Sequence, residues 1–263
     1  MSLIADTHVH LYPCYDLDHA FRRLSSNLSR LAAGYNTESS LVAVLTERHD
    51  CHFFSQLRDG TRRPLSPSIT IEASAEPDCV KICCDGTEFY LFSGRQVITL
   101  ERIEILALTV NVDIPDGLLA NDIVTRIDDE GGLPVLSWAP GKWFAGRGAI
   151  VRELFRRAEP GTLLAGDTTL RPVGWATPVL MRAASRQGLR VIAGSDPLPF
   201  AGEEHYMGTY ASYIDAAFDV DAPVTSLRRT LSGDRESEQA GRRCQLFPWM
   251  LRLWRNMRTK QRN

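Results

Sequence analysis

Leu3-Ile4-Ala5-Asp6-Thr7-His8-Val9-His10 is an apolar run that ends in Asp-x-His-x-His. Read as a strand, it has a chemical meaning. Side chains two apart on a strand point to the same face, so His8 and His10 converge on one point and Asp6 lies below them. Two neutral imidazoles ligate zinc, manganese or iron. Taken alone, such a pair is equally a loop cap and a packed core histidine. The choice depends on what the later strand ends carry.

Outward from this strand, apolar segments of strand and helix character alternate. Asp16 to Ala33 places Leu17, Phe21, Leu24, Leu28 and Leu31 at helical spacing, and Gly34 can end that helix. Leu41 to Thr46 reads as a second buried strand, residues 50–58 as a short helix and Gly60 to Pro67 as a loop. Ser68 to Leu108 is β-rich, with Glu88–Phe92 and Val97–Leu100 reading as separate strands. Its Asp85-Gly86 pair signals a hairpin turn, so a hairpin is expected between core strands. Next come a helix over Asp116–Glu130, strand Leu133–Ser137, helix Ala149–Ala158, strand Thr162–Ala165, helix Thr177–Gln187 and strand Leu189–Ala193.

This alternation is the pattern of an α/β protein with a parallel sheet and crossover helices. The polar residues that could ligate a metal follow the first, middle and last strands. Only closure into a barrel brings those together, at the C-terminal ends of the strands. The expected organisation is a barrel over residues 1–231, an exposed linker over 232–241 and a C-terminal helix over 242–263. In that helix Leu246, Trp249, Met250, Leu253, Trp254 and Met257 share a helical stripe. Arg252, Arg255, Arg258, Lys260 and Arg262 give it a basic face. Packing on the barrel is the first expectation; weak contact with a membrane surface or a protein is the second.

Composition narrows the classes. The 263 residues are 44% hydrophobic and 24% charged, as in a soluble globular protein, and form one large domain or two small ones. The net charge of −2 gives no whole-molecule field toward nucleic acid, so no nucleic-acid partner is expected. Six cysteines without a CxxC pair, two of them adjacent at Cys83-Cys84, suit reduced thiols in the cytoplasm. No basic-then-apolar leader opens the chain, and no apolar run is long enough to span a bilayer.

The last strand continues into Gly194-Ser195-Asp196. Asp196 can bind a metal or take a proton, although aspartate there is also a common turn residue. His49 and Glu72 follow two further strands as candidate ligands, His49 also as a catalytic group. The loop Trp138 to Gly148 combines aromatics, glycines and cations. Lys142, Arg147 and the later Arg171 are candidate anion contacts, Trp143 a candidate wall, and Asp167 a further carboxylate. Gly202 and Gly208 flank a segment that can act as a lid.

In this order the pieces resemble the PHP (polymerase and histidinol phosphatase) superfamily of metal-dependent phosphoesterases, over roughly residues 1–215. Asp6-Thr7-His8-Val9-His10 is similar to its opening motif and Leu45-Thr46-Glu47-Arg48-His49 to its second. Ile71-Glu72-Ala73-Ser74, Gly131 to Pro140 and Gly194-Ser195-Asp196-Pro197-Leu198 resemble the later ones. The resemblance implies a distorted (β/α)7 TIM-like barrel, here with an inserted β-hairpin, and divalent metal ions held by His8, His10, His49, Glu72 and Asp196. It also implies hydrolysis of a small anionic or phosphorylated substrate through metal-activated water. Trp138 and Leu198 stand where the family has ligating histidines, and only Glu104 and Asp16 offer themselves at two other ligand positions. At most one tightly held metal is therefore expected, zinc, manganese or iron. The competing expectation is a non-catalytic barrel of the same type that serves binding or assembly.

Overall fold

The first strand, β1 (Ser2–Val9), is buried along its whole length, as an apolar run covered on both faces must be. The computed structural model describes residues 1–260. Helix α1 (Leu17–Ala32) follows, its N-terminus capped by Asp16, whose carboxylate accepts from the His19 N–H at 2.7 Å. The chain returns as β2 (Ser39–Glu47), parallel to β1, and continues through α2 (Phe53–Asp59).

The expected hairpin is β3 (Ile69–Ala73) against β4 (Cys79–Cys84). Asp85 and Gly86 then turn the chain with φ of 49° and 84°, the two positive values that a type I′ turn requires, into β5 (Thr87–Ile98). β5 is one strand of 12 residues where the sequence reads as two. It pairs β4 with its first half, and β6 (Glu104–Leu108) with its second. Gly94 sits midway, where a Cβ would lie 2.8 Å from the Ala107 carbonyl.

The rest of the sheet comprises β7 (Leu133–Ser137), β8 (Leu164–Thr168), β9 (Val191–Gly194), β10 (Tyr210–Ile214) and β11 (Ser237–Gly241). The remaining helices are α3 (Ala120–Asp129), α4 (Gly146–Arg157), α5 (Val179–Arg186), α6 (Pro223–Ser232) and α7 (Leu246–Lys260). The sheet order is β11-β10-β1-β2-β5-β6-β7-β8-β9, with β3 and β4 branching from β5. Its nine-strand path nearly closes into a barrel. The Asp196 N–H donates to the His8 carbonyl at 2.8 Å, and Thr7 Oγ1 donates to the Ala193 carbonyl at 3.0 Å, which seats β9 beside β1.

Two expectations are corrected. The barrel is not a regular set of parallel β/α units, because β6 runs antiparallel to both β5 and β7. Only residues 99–103 separate β5 from β6, closed by the Thr99 N–H to Ile103 carbonyl bond at 2.9 Å. A connection that short permits a hairpin and forbids a crossover. Part of the expected linker, Ser237–Gly241, is instead β11, paired with β10. Arg262 lies outside the described residues.

The interior of the barrel is packed by Leu3 and Ala5 with Val42, Val44, Leu106 and Val135, and α6 contributes Leu227 and Leu231 at one end. Ile4 and Val9 belong to a different cluster, between the sheet and α1. Strict alternation would put Val9 on the side of Ala5. The β1–β2 register shifts between Asp6 and Val9, so one residue is added and the alternation inverts. That shift moves the even-numbered histidines away from the Ile4 side.

Candidate metal centre

His8 closes β1 and His10 follows it; both are almost wholly buried. Their Nε2 atoms are 3.0 Å apart, and each lies 3.7 Å from Asp196 Oδ1. Among the described residues this is the one group of three or more potential ligands, its ligand atoms all within 4.8 Å of one another. Almost the whole chain separates the histidines from Asp196. Barrel closure brings them together, as the first and last parallel strands require.

The other ring nitrogens are held. His8 Nδ1 faces Ser137 Oγ at 3.4 Å, and His10 bonds to the backbone of Thr46. Such contacts fix the ring and leave Nε2 free to ligate. Burial lowers His8 to about 4 against the charge of Glu104, and holds His10 well below its ordinary range. Both rings are therefore neutral donors at physiological pH. Burial raises Asp196 to about 7, against the charge of Arg252. Asp196 also has a φ of 49°, the left-handed conformation that aspartate tolerates better than bulkier residues.

Asp6 does different work. Its carboxylate accepts from the N–H groups of Ser195 (2.8 Å), Gly208 (2.9 Å) and His8 (3.2 Å), tying β1 to the loops after β9 and before β10. It is a buried strut for the ligand loop, and burial raises it to about 7 in spite of these bonds.

His10 and Asp196 open into a cleft of about 580 Å³, with His8 beside them. Arg48, His49 and Lys142 supply cationic or basic groups to it, and Glu104 and Asp116 acidic ones. Lys142 Nζ is 3.8 Å from Glu104 Oε2, and His49 Nδ1 is 3.5 Å from Asp116 Oδ2. Leu198 lines the cleft where the resemblance expects a histidine. Gln96, also in the cleft, is hydrogen-bonded through its side chain to His8. Two neutral imidazoles and a carboxylate facing one point fit a divalent cation.

Other sequence candidates lie elsewhere. Glu72 is on β3, in the branch off the barrel path, largely exposed and 3.7 Å from Lys81 Nζ. His49 stands at the exposed mouth rather than with the triad. Arg171 is buried in a two-pronged ion pair with Asp167 (2.7 and 2.5 Å), so neither faces the cleft. Asp16 is occupied as the α1 cap. Trp143 lines a separate apolar pocket of about 500 Å³ with Trp138 and Trp175, and Arg147 starts α4 outside the cleft lining. Sequence reading overlooked Gln96, whose strand it broke in two, and the contribution of α7. Leu253, Asn256, Met257 and Thr259 of that helix line the cleft.

No protein-family model and no curated protein matches the sequence. Among solved structures, the fold is similar to PsfC from Pseudomonas syringae PB-5123, at 13% identity and a TM-score of 0.60, covering 100% of this chain and 99% of that one. It is also similar to the lesion-specific endonuclease PfuEndoQ from Pyrococcus furiosus, at 12% identity and a TM-score of 0.53, over 90% of this chain and 58% of that one. An Endonuclease Q complex with a 27-mer duplex substrate aligns with a TM-score of 0.48 at 13% identity. These likenesses correct one expectation. A fold shared with a lesion-specific endonuclease removes the ground for setting nucleic acid aside. Net charge is a sum over the molecule, whereas a ligand meets the local field of a cleft. No described helix is long and apolar enough to cross a membrane.

Proposed function

We propose that this chain is a PHP-like, metal-dependent phosphoesterase acting on a small anionic substrate. The observation that carries this reading is the convergence of His8, His10 and Asp196 in a cleft whose mouth holds Arg48, His49 and Lys142. His8 Nε2, His10 Nε2 and Asp196 Oδ1 would hold one divalent ion of zinc, manganese or iron. When bound, such an ion supplies Lewis-acid polarisation of a phosphoryl oxygen and lowers the pKa of water.

The chain's own residues do the rest. Arg48 and Lys142 balance the phosphate charge, and His49 at the mouth adds an imidazole beside Asp116. Asp196 would ligate as the carboxylate. Ile98, Leu170 and Leu198 are apolar walls that limit water and strengthen each charge interaction in the cleft.

Elemental analysis after incubation with manganese, iron or zinc tests the site. Close to one ion per chain is expected, falling to background in His8→Ala/His10→Ala with the circular dichroism spectrum unchanged. Unchanged stoichiometry in the double variant would sink the assignment. Release of phosphate from phosphate monoesters then tests the chemistry. A second reading keeps the same centre and takes a phosphodiester in lesion-bearing DNA, supported by the fold shared with PfuEndoQ. Cleavage of damaged duplexes without turnover of monoesters would select it. A chain that takes up no metal would instead favour a binding or assembly role.

A further inference from the structure

Helix α7 lies over the mouth of the barrel. Its Arg252 is buried, with Nε and Nη2 on the Glu203 carboxylate, Nη1 2.9 Å from Thr169 Oγ1 and Nη2 3.2 Å from the Asp196 carbonyl. The guanidinium also stacks on Tyr206, 3.8 Å from the ring centroid. The roof of the cleft is thus fastened to the loop that presents Asp196. From this roof, Asn256 turns a side chain into the cleft lining, and its Oδ1 is buried without a hydrogen-bond partner. Buried polar atoms in native proteins are nearly always satisfied, so an orphaned acceptor in the cleft calls for a donor that a ligand brings.

We propose that Asn256 is a specificity-determining residue that accepts a hydrogen bond from a hydroxyl group of the substrate. With Arg48 and Lys142 receiving the phosphate, the substrate class is a hydroxylated phosphate monoester of the polyol or sugar type. This rests on the reading of the cleft as a phosphoesterase centre. A site built to bond a hydroxyl discriminates against an analogue that lacks it, because its own polar groups are then left unpaired.

The test is calorimetric titration of the full chain with glycerol 3-phosphate and with methyl phosphate, with metal content measured alongside. Glycerol 3-phosphate is expected to bind about tenfold more tightly. Asn256→Leu should reduce that preference severalfold while leaving methyl phosphate affinity and metal content unchanged. Asn256→Asp retains an acceptor oxygen and should keep the preference while weakening both ligands by repulsion, which separates lost recognition from a displaced helix. Equal affinities in the wild type, binding of neither ligand, or a full preference in Asn256→Leu would overturn the proposal. A chain that shows the preference but holds no metal would keep this recognition and sink only the catalytic reading. A metal-loaded chain that hydrolyses both esters equally well would do the reverse.

Discussion

The buried acids of this protein show how little a residue's name says about its role. Asp6, Glu47 and Asp196 all sit near the histidine pair's end of the barrel, and burial raises each to about 7. Only Asp196 faces the ligands. Asp6 binds three backbone amides, and Glu47 caps α2 by accepting from the N–H groups of Phe53 and Phe54. Glu47 gives a clean pH prediction. Burial pushes it up to about 7 from the ordinary 4.5, with Arg95 only partly offsetting the effect. Between those limits the folded state holds a proton that the unfolded state has released. Stability from this group therefore falls as pH rises, by up to about 1.4 kcal/mol per unit, and is retained in full below pH 4.5. Glu47→Gln stays neutral and keeps an acceptor for the α2 amides. It should match the wild type in urea denaturation near pH 4.5 and exceed it at pH 8. A gap of the same size at both pH values would show that the Glu47 carboxyl is not perturbed in this way.

Among the elements, α7 departs furthest from its sequence pattern. Its apolar stripe reads as the packed face, yet Leu246, Met250, Trp254 and Met257 are largely exposed and the deepest residue is Arg252. Helical spacing shows which residues share a face, and it gives no weight to a single buried ion pair. Truncating Arg252 to alanine would leave Glu203 buried without its counter-charge, at a cost of about 3–5 kcal/mol. α7 should then become sensitive to limited proteolysis, and Glu203→Gln on that background should recover part of the loss. Continued protection of α7 in Arg252→Ala would show that the ion pair does not fasten the roof. Local chemistry was legible where it is decisive within a few residues. The Asp85-Gly86 turn and the bounds of β7 at Leu133–Ser137 agree with the sequence reading, whereas Asp16, read as a candidate ligand, is the α1 cap. The direction of β6 was not legible, because it depends on the length of the link from β5, and the reading treated Val97–Leu100 as a separate strand. β11 was missed because Ser237-Glu238-Gln239 carries no apolar signal; an edge strand gains its partner from β10 alone.

At the scale of the whole molecule, the site exists because the barrel closes, and closure depends on one residue without a side chain. His8, His10 and Asp196 were legible as ligand types and as strand ends, whereas the register shift that aims the histidines was not. The shift is a property of the β1–β2 pairing and leaves no mark in the alternation of the sequence. Gly194 is where the last parallel strand meets the first. A Cβ there would lie 2.3 Å from His8 Cβ, 2.6 Å from His8 N and 2.9 Å from His8 Cα. No rotamer can relieve a clash with backbone, so β9 would have to move away from β1. That movement would strain the 2.8 Å bond from the Asp196 N–H to the His8 carbonyl and carry Asp196 away from the imidazoles. Gly194→Ala should therefore lower stability by about 1–3 kcal/mol, as overpacking does in other cores. It should weaken metal uptake by more than its loss of stability explains, because ligand geometry and strand contact fail together. Denaturation and elemental analysis on the same preparation separate the two effects. Full metal stoichiometry at unchanged affinity in Gly194→Ala would mean that the ligands do not depend on the β1–β9 seam, and the account of the centre as a product of barrel closure would fall.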